Sequence, residues 1–331
     1  MVNMTINRLR RAEYIIAASV IVFVGMMAAA SFFAGSHDVL RHLSGISLPL
    51  ITIMLILSLV NYFVRAYRWH IFSRHLNIEV PFKDTMLYYV AGFSMTTTPG
   101  KLGEALRLWF LQRCHNYDYF RVGPLFVGDR LSDMNAMLVL IMFSVTAFSD
   151  YLWLSVLAIV AVLGLNVMFL KPKLLINFTG TLYKWSGKRW IRLFAKVRRT
   201  LRLTSSLFSP RIFGSTLLLT SLGWLAESAA FYILLHELGA ELSFFHATFI
   251  FSFSMVMGAL SMLPGGLGGV EATMIALLLA IGVDIEVAIV ATAVIRLTTL
   301  WFAVFIGFIA LPFAMKKVRA LSTPLPSGVI K

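Results

Sequence analysis

Eight ionisable side chains fall inside or beside long apolar segments of this sequence. A charged residue at the centre of a bilayer costs roughly 2.5–3.5 kcal/mol on insertion scales, so such residues face a cavity or one another. An arginine among them presents a planar fork that matches the oxygens of a phosphate group. We therefore predict anion binding as their chemistry. The eight are Glu104, Arg107, Asp129, Arg130, Asp133, Glu227, Glu271 and Arg296.

Two Pro-Gly interruptions about 165 residues apart break these apolar segments. Each break begins a half-helix whose unpaired N–H groups and positive dipole end attract negative charge. Broken helices at membrane depth are tolerated only where protein or a water-filled cavity surrounds them. The candidate binding residues at the breaks are Thr98, Pro99, Gly100, Lys101, Gly103 and Glu104 in the first, and Pro264, Gly265, Gly266, Gly268 and Glu271 in the second.

Arg130 and Arg296 are the leading candidates for holding a phosphate. Asp129 and Asp133 share a helix face at the i, i+4 spacing, with Arg130 displaced by about 100°. A structural role is the alternative, in which the glycines merely permit close helix packing and the arginines form ion pairs. Both hold if the ion pairs exchange as the ligand binds. The acids considered as partners are Asp133, Glu227 and Glu271.

The sequence lacks the motifs of nucleotide and hydrolytic chemistry. There is no Walker A loop, His-Glu-x-x-His, Cys-x-x-Cys or Gly-x-Ser-x-Gly, so ATP-driven transport and zinc or serine hydrolysis have no support. We predict no cofactor and no metal site. An ion gradient or simple facilitation would then drive any transport. The candidate proton carriers are Glu104, Asp133, Glu227 and Glu271.

The composition indicates an all-α polytopic membrane protein. Of 331 residues, 59% are hydrophobic and 13% are charged, which is more apolar surface than a soluble core of this size can hide. Two pairs of shorter segments, 84–98 with 102–112 and 244–263 with 271–283, fit re-entrant helical hairpins, although residues 244–263 are long enough to cross. About six runs predict full spans, at 14–34, 46–64, 134–149, 151–170, 212–235 and 287–313.

The basic residues predict the orientation. Lys and Arg are retained on the cytoplasmic side of a membrane, so we predict that both termini and residues 65–83 are cytoplasmic. The predicted location of the protein is the cytoplasmic (inner) membrane. Residues 171–211 carry eleven Lys or Arg and no acid, a pattern typical of interfacial helices on anionic headgroups. Simple anchoring or a protein partner would also explain them. Because flanking cations account for the net charge of +14, nucleic acid binding is not predicted.

Aligning the two breaks reveals an internal repeat. Arg130 lies 31 residues after Pro99, and Arg296 lies 32 residues after Pro264. With one odd connecting span the two units are antiparallel, which is the inverted repeat of alternating-access transporters. The predicted organisation is an N-terminal span and outer loop (1–45), a first repeat (46–149), a connecting span with the basic loop (150–211), a second repeat (212–313) and a cytoplasmic tail (314–331).

These motifs resemble the family of the lysylphosphatidylglycerol synthase transmembrane region, also called flippase-like domain proteins. The resemblance rests on residues 99–104, on Asp129-Arg130 with Asp133, and on residues 264–268 with Glu271. It implies an inner-membrane protein that translocates lipids or accompanies enzymes that modify them. Family synthases carry a soluble aminoacyl-transferring domain after this region, and we expect that chemistry to be absent here. This sequence departs from the family pattern at Gly269-Val270, because the resemblance implies a more polar pair directly before Glu271.

We therefore predict a transporter that moves a phosphate-bearing lipid, either a phospholipid or a polyprenyl-phosphate carrier, between leaflets. One rival is an integral-membrane transferase in which Asp129 and Asp133 hold a divalent cation on a diphosphate. Another is an accessory subunit that recruits a lipid-modifying enzyme through the basic loop. Membrane lipids with anionic headgroups are the predicted partners. The sequence does not decide whether the protein is a monomer or a homodimer.

Overall fold

The computed structural model describes residues 43–98, 102–145 and 191–322, with isolated positions between 153 and 185. Within these residues every regular element is a helix, which confirms the predicted all-α class. The predicted spans at 14–34 and 151–170 lie outside the described residues, apart from isolated positions. So do Pro99, Gly100 and Lys101 at the first break.

The helices run in order from α1 to α10. The first four are α1 (Leu48–His75), α2 (Phe82–Gly92), α3 (Leu102–His115) and α4 (Tyr119–Ser144). After the connecting region come α5 (Ile191–Ser206), α6 (Pro210–Glu237), α7 (Phe244–Leu260), α8 (Gly269–Ala280), α9 (Ile285–Arg296) and α10 (Phe302–Ser322). Short 3₁₀ turns at Phe93–Met95 and Pro264–Gly266 precede the half-helices α3 and α8, and a π turn at Leu297–Trp301 joins α9 to α10.

Within the described ranges, three helical stretches are long and apolar enough to cross a membrane: Leu48–His75, Pro210–Glu237 and Ile285–Ala320. At 1.5 Å per residue they are about 42, 42 and 54 Å long, against a hydrocarbon thickness of about 30 Å. The arms of the two hairpins, α2 with α3 and α7 with α8, have only 11, 14, 17 and 12 residues. Each arm is therefore shorter than the hydrocarbon core, as a re-entrant arm must be.

The predicted end of the span 46–64 was wrong. Helix α1 continues from the apolar run through Arg65 and Arg68 to His75, and Arg68 is fully buried. Proline and glycine, the residues that break helices, do not occur between Leu50 and His75, so the helix has no reason to end at Val64. It ends instead at His75, two residues before Asn77, whose φ of 54° is left-handed.

Helices α1 and α6 lie side by side and antiparallel. The Arg68 guanidinium donates to Thr220 Oγ1 at 2.9 Å, and one turn earlier on α1 the Val64 side chain packs against Gly223, which is one turn later on α6. Both helices end with the same cap, in which a residue of left-handed φ, Asn77 or Gly239, lets the next N–H bond back by five residues. In both halves a long helix is thus followed by a short arm, a 3₁₀ turn and a second arm.

Two hydrophobic clusters surround the charged residues. One cluster includes Leu50 and Met54 at the start of α1 together with much of α6 to α9 and the end of α4. The other includes Tyr62 to Leu76 of α1 together with α2, α3 and the first half of α4. Because α1 and α4 both pass from one cluster to the other, their central residues meet at the boundary. Arg65 and Asp133 lie at that boundary.

Candidate anion-binding cavity

A buried network of arginines and aspartates joins α1, α3 and α4. Arg68, fully buried, is ion-paired with Asp129 and donates to Asp133 Oδ1 at 2.8 Å. Arg65 donates to Asp133 Oδ2 at 2.9 Å, and Arg107 donates to Asp129 Oδ2 at 3.2 Å. Arg130 bridges both carboxylates at 3.3 and 3.4 Å. Each aspartate is therefore held by three guanidinium groups, an arrangement that offsets the cost of burying the charges.

Aromatic side chains complete the coordination of the aspartates. Trp224 Nε1 donates to Asp133 at 3.3 Å, and the Tyr89 hydroxyl donates to Asp129 at 3.4 Å. The Arg107 guanidinium lies 3.6 Å from the centre of the Tyr89 ring, within cation–π range. These contacts fix the positions of the guanidinium groups relative to one another.

The second break is held by Glu271 and Arg296. One Glu271 oxygen accepts from the N–H of Gly268 at 2.7 Å, which caps the start of α8. The other accepts from Arg296 Nε at 2.6 Å, and Arg296 Nη2 donates to the Gly265 carbonyl at 2.8 Å. Gly265, Gly266 and Gly268 all have positive φ, a backbone that side chains rarely tolerate. The sequence-based alternative that Arg296 forms a structural ion pair is thus realised with Glu271.

A π turn follows Arg296 directly. Such a turn disturbs the regular backbone ladder of a helix and often marks a functional site. The Tyr62 hydroxyl of α1 donates to the carbonyl of Thr299 in this turn. The contact ties α1 of the first half to the helix that carries Arg296.

These elements line a cavity of about 250 Å³. The two breaks adjoin there, because a Cβ built on Gly265 would lie 3.3 Å from Cγ2 of Thr97. Arginines come from four helices, and carboxyl groups from α4 and α6. The polar and charged residues of its wall are Tyr62, Arg65, Thr96, Arg107, Arg130, Asp133, Trp224, Glu227, Arg296 and Thr299, with the backbone of Gly265 and Gly266.

Two acids line the cavity, and Glu227 is the one that forms no direct ion pair with a described residue. It is 2% exposed, and within the described part of the chain it forms no ion pair and accepts no hydrogen bond. The described side chains of the site comprise five arginines (Arg65, Arg68, Arg107, Arg130 and Arg296) and four acids (Asp129, Asp133, Glu227 and Glu271). These nine described side chains therefore have a net charge of +1 when every acid is ionised.

Only some of the site residues predicted from the sequence line the cavity. Asp129, Pro264, Gly268 and Glu271 lie behind the cavity wall and not in it. The Thr98 hydroxyl donates to the Met95 carbonyl at 2.6 Å. Gly103 and Glu104 belong to α3, but their side chains are not described. The predicted residues that line the cavity are Arg107, Arg130, Asp133, Glu227, Gly265, Gly266 and Arg296.

Sequence reasoning missed Arg65 and Arg68, which it assigned to a loop, and Tyr62 and Trp224, which it treated as ordinary apolar positions. The sequence nevertheless contains a pattern that indicates a shared helix face for three of these residues. Tyr62, Arg65 and Arg68 recur at three-residue spacing on an uninterrupted helical stretch, which places them on one face.

The fold and the site define an all-α membrane protein with a charged cavity buried between two helical breaks. Comparison with known proteins gives the family. The chain matches the lysylphosphatidylglycerol synthase TM region over residues 15–307 and belongs to that family.

Relatives of the chain include archaeal membrane proteins. It is 22% identical to a UPF0104 membrane protein of Pyrococcus horikoshii, over 87% of this chain and 94% of the relative. It is 23% identical to a UPF0104 membrane protein of Methanothermobacter thermautotrophicus, over 74% of this chain and 80% of that protein.

Proposed function

We propose that this protein moves a phosphate-bearing lipid, a phospholipid or a polyprenyl-phosphate-type lipid, between the leaflets of the cytoplasmic membrane without hydrolysing ATP. One observation carries the proposal: guanidinium groups from four helices line a single cavity that has a net positive charge. Guanidinium is suited to bidentate binding of phosphate. The distribution of Lys and Arg supports a cytoplasmic location for both termini.

The size of the cavity favours a headgroup as the ligand. Pockets that hold whole small molecules usually measure about 300–1,000 Å³. A cavity of about 250 Å³ accommodates a phosphate and its substituent, while the acyl or prenyl chains stay in the bilayer. The same order of elements in both halves supports an inverted repeat, in which rocking of one half against the other would expose the headgroup to either side.

A membrane transferase is less well supported by the geometry. In that mechanism Asp129 and Asp133 would hold a divalent cation on a diphosphate. Each of them already has three guanidinium partners, so the cation would have to displace buried arginines. We therefore treat the chain as a transporter and not as an enzyme.

Arg130→Ala tests the proposal. Arg130 lines the cavity and its side chain is 27% exposed, so its loss disturbs the fold less than loss of a fully buried arginine. We expect headgroup translocation in proteoliposomes to fall by about 10- to 100-fold, the equivalent of losing a hydrogen bond to a charged group. The rate is measured by dithionite quenching of fluorescent phosphatidylglycerol, with a polyprenyl phosphate assayed in parallel.

Arg211→Ala is the control for that experiment, because Arg211 is exposed at the start of α6. It should retain the wild-type rate. Arg130→Lys keeps the charge without the planar fork and should be intermediate. A well-folded Arg130→Ala protein with the wild-type rate would exclude Arg130 from headgroup binding, and an inactive wild type with both lipids would contradict the proposed function.

Helix α5 provides a second contact with lipid in this proposal. Thr204 and Leu207 at its end are buried, and the Thr200 hydroxyl donates to the Phe120 carbonyl of α4 at 2.8 Å. Lys196, Arg199 and Arg202 are exposed. Cations near a membrane surface gain roughly 1 kcal/mol each from anionic lipid.

We expect the variant Arg199→Gln with Arg202→Gln to retain fewer phosphatidylglycerol molecules than the wild type in native mass spectrometry. Retention should drop by about 10-fold or more if both cations contribute roughly 1 kcal/mol. Phosphatidylcholine retention, measured in the same way, should not change. Equal retention of phosphatidylglycerol by variant and wild type would contradict the assignment of α5 to anionic lipid.

A further inference from the structure

Besides Ser58 and Ser254, four fully buried polar side chains of the apolar half of the bundle lack hydrogen-bond partners among the described residues. They are Asn61 of α1, Thr248 and Ser252 of α7, and Thr292 of α9, each 0% exposed. Both amide atoms of Asn61 and all three hydroxyls have no partner among the residues that the structure describes. A buried polar group that bonds to nothing costs about 1–3 kcal/mol, so nearly all such groups in proteins are satisfied by protein or by water.

The topology brings all four to the same side of the cavity. Helix α6 is antiparallel to α1, as the contacts of Arg68 with Thr220 and of Val64 with Gly223 show, so α6 ends where α1 begins. Short connections then start α7 at that end, and after the α7–α8 hairpin they start α9 there too. In each of α1, α7 and α9, the unpartnered residues precede the cavity residues along the chain. They therefore lie between the cavity and this end of the bundle.

Helical spacing places each polar residue on the face that reaches the cavity. Asn61 precedes Arg65 by four residues, and Thr292 precedes Arg296 by four. On α7, Thr248, Ser252 and the cavity residue Met255 follow one another at spacings of four and three. Three helices thus carry polar groups in line with the cavity wall, through an otherwise apolar cluster.

Glu227 stands where this polar line meets the cavity. It lies on α6 one turn beyond Gly223, whose own Cβ position would be 3.6 Å from Cα of Asn61. Charged and titratable groups reach Glu227 from the neighbouring helices: Tyr62 and Arg65 from α1, Asp133 from α4 and Arg296 from α9. On α7 the titratable residue is His246, half-buried at the start of the helix.

We propose that Asn61, Thr248, Ser252 and Thr292 line a hydrated path that carries protons between Glu227 and the end of the bundle at which α1, α7 and α9 begin. Buried water bonds to otherwise unsatisfied polar groups, and a chain of such water relays protons. A proton taken from the aqueous phase binds the Glu227 carboxylate and leaves it to water in the cavity. The coupling of this step to lipid movement rests on the proposed function, whereas the path itself does not.

Cysteine accessibility tests the path without any transport. In a Cys114→Ser background, Ser252→Cys and Thr292→Cys should react with 2-aminoethyl methanethiosulfonate, a small cationic reagent that requires water. Ser254→Cys is the matched control, because Ser254 is equally buried and its hydroxyl is equally unpartnered, but it lies about 160° away around α7 and so points away from the proposed path. Mass spectrometry should show modification at 252 and 292 and not at 254. Inert cysteines at 252 and 292, or equal reaction at 254, would overturn the path.

Gradient-driven transport tests the coupling. With one proton per lipid, a pH difference of one unit should accumulate the lipid about 10-fold across the proteoliposome membrane. The double variant Ser252→Ala with Thr292→Val should keep exchange without a gradient but lose the pH-driven increase, while Ser254→Ala keeps both. Glu227→Gln should bring the accumulation ratio to about 1.

A wild type that moves lipid with no response to the pH difference would overturn the coupling. So would a double variant that responds like the wild type. A wild type that moves no lipid contradicts the proposed function instead, and the cysteine reactions then still decide whether the path exists.

Discussion

Asp129→Ala is expected to destabilise the protein by about 3–5 kcal/mol, the range found when one partner of a buried ion pair is removed. Asp129 is 1% exposed and accepts from Arg68, Arg107 and Arg130. Its loss removes the only carboxylate that the described residues place on buried Arg107, and it leaves Asp133 alone to oppose Arg65, Arg68 and Arg130. The expected result is a much lower midpoint of thermal unfolding in detergent, measured by the elution of monodisperse protein after heating.

Lys196→Ala is the control for this prediction. It breaks the ion pair of Lys196 with Asp118, 3.4 Å apart and about half exposed, and exposed pairs contribute only about 0–1 kcal/mol. A second variant, Arg68→Met with Asp129→Leu, removes both charges and should recover part of the loss. If Asp129→Ala unfolds within the range of the Lys196→Ala control, the arginine–aspartate network does not stabilise the fold.

The sequence predicts the class of fold well because hydrophobicity and helix breakers are local properties. Apolar runs locate the long helices, and the Pro-Gly motifs fall between the two short arms of each half. The spacing of the repeat also predicts that Arg130 and Arg296 share one site, and both line the cavity. These inferences need only residue type and distance along the chain.

The partners of the arginines could not be predicted in the same way. Arg65 binds Asp133, which is 68 residues away in the sequence, and Arg68 binds Asp129, which is 61 residues away. The sequence of α1 itself gives no indication of either partner. The rule that cations flank spans assigned both arginines to a loop, because the rule ignores pairing inside the protein. For Arg296 the sequence left three acids open, and packing of α8 against α9 selects Glu271.

The division of roles between the acids also depends on packing. Asp133, Glu227 and Glu271 look alike in sequence as candidate proton carriers. In the structure Asp133 is held by three arginines and Glu271 caps α8, whereas Glu227 faces the cavity and forms no direct ion pair with a described residue. The difference arises from helices far apart in the chain.

Gly307→Ala is expected to separate α10 from the first hairpin. A Cβ on Gly307 would lie 2.7 Å from the carbonyl carbon of Phe93 and 2.9 Å from Cα of Ser94. Both are backbone atoms, which cannot rotate away, so the helix or the 3₁₀ turn must shift. Overpacking of this kind costs typically about 1–3 kcal/mol, more than the roughly 1 kcal/mol that alanine gains over glycine within a helix.

Gly214→Ala is the matched control, because Gly214 is exposed on α6 and a Cβ there meets nothing within 4 Å. The same substitution should therefore lower the midpoint of thermal unfolding at 307 and raise it slightly at 214. The shift at 307 also displaces Thr96, which follows the 3₁₀ turn and lines the cavity. Headgroup translocation should consequently fall in Gly307→Ala even at temperatures at which the variant is folded. Equal stability and transport in the two variants would show that the close crossing of α10 and the first hairpin is not needed to position the break.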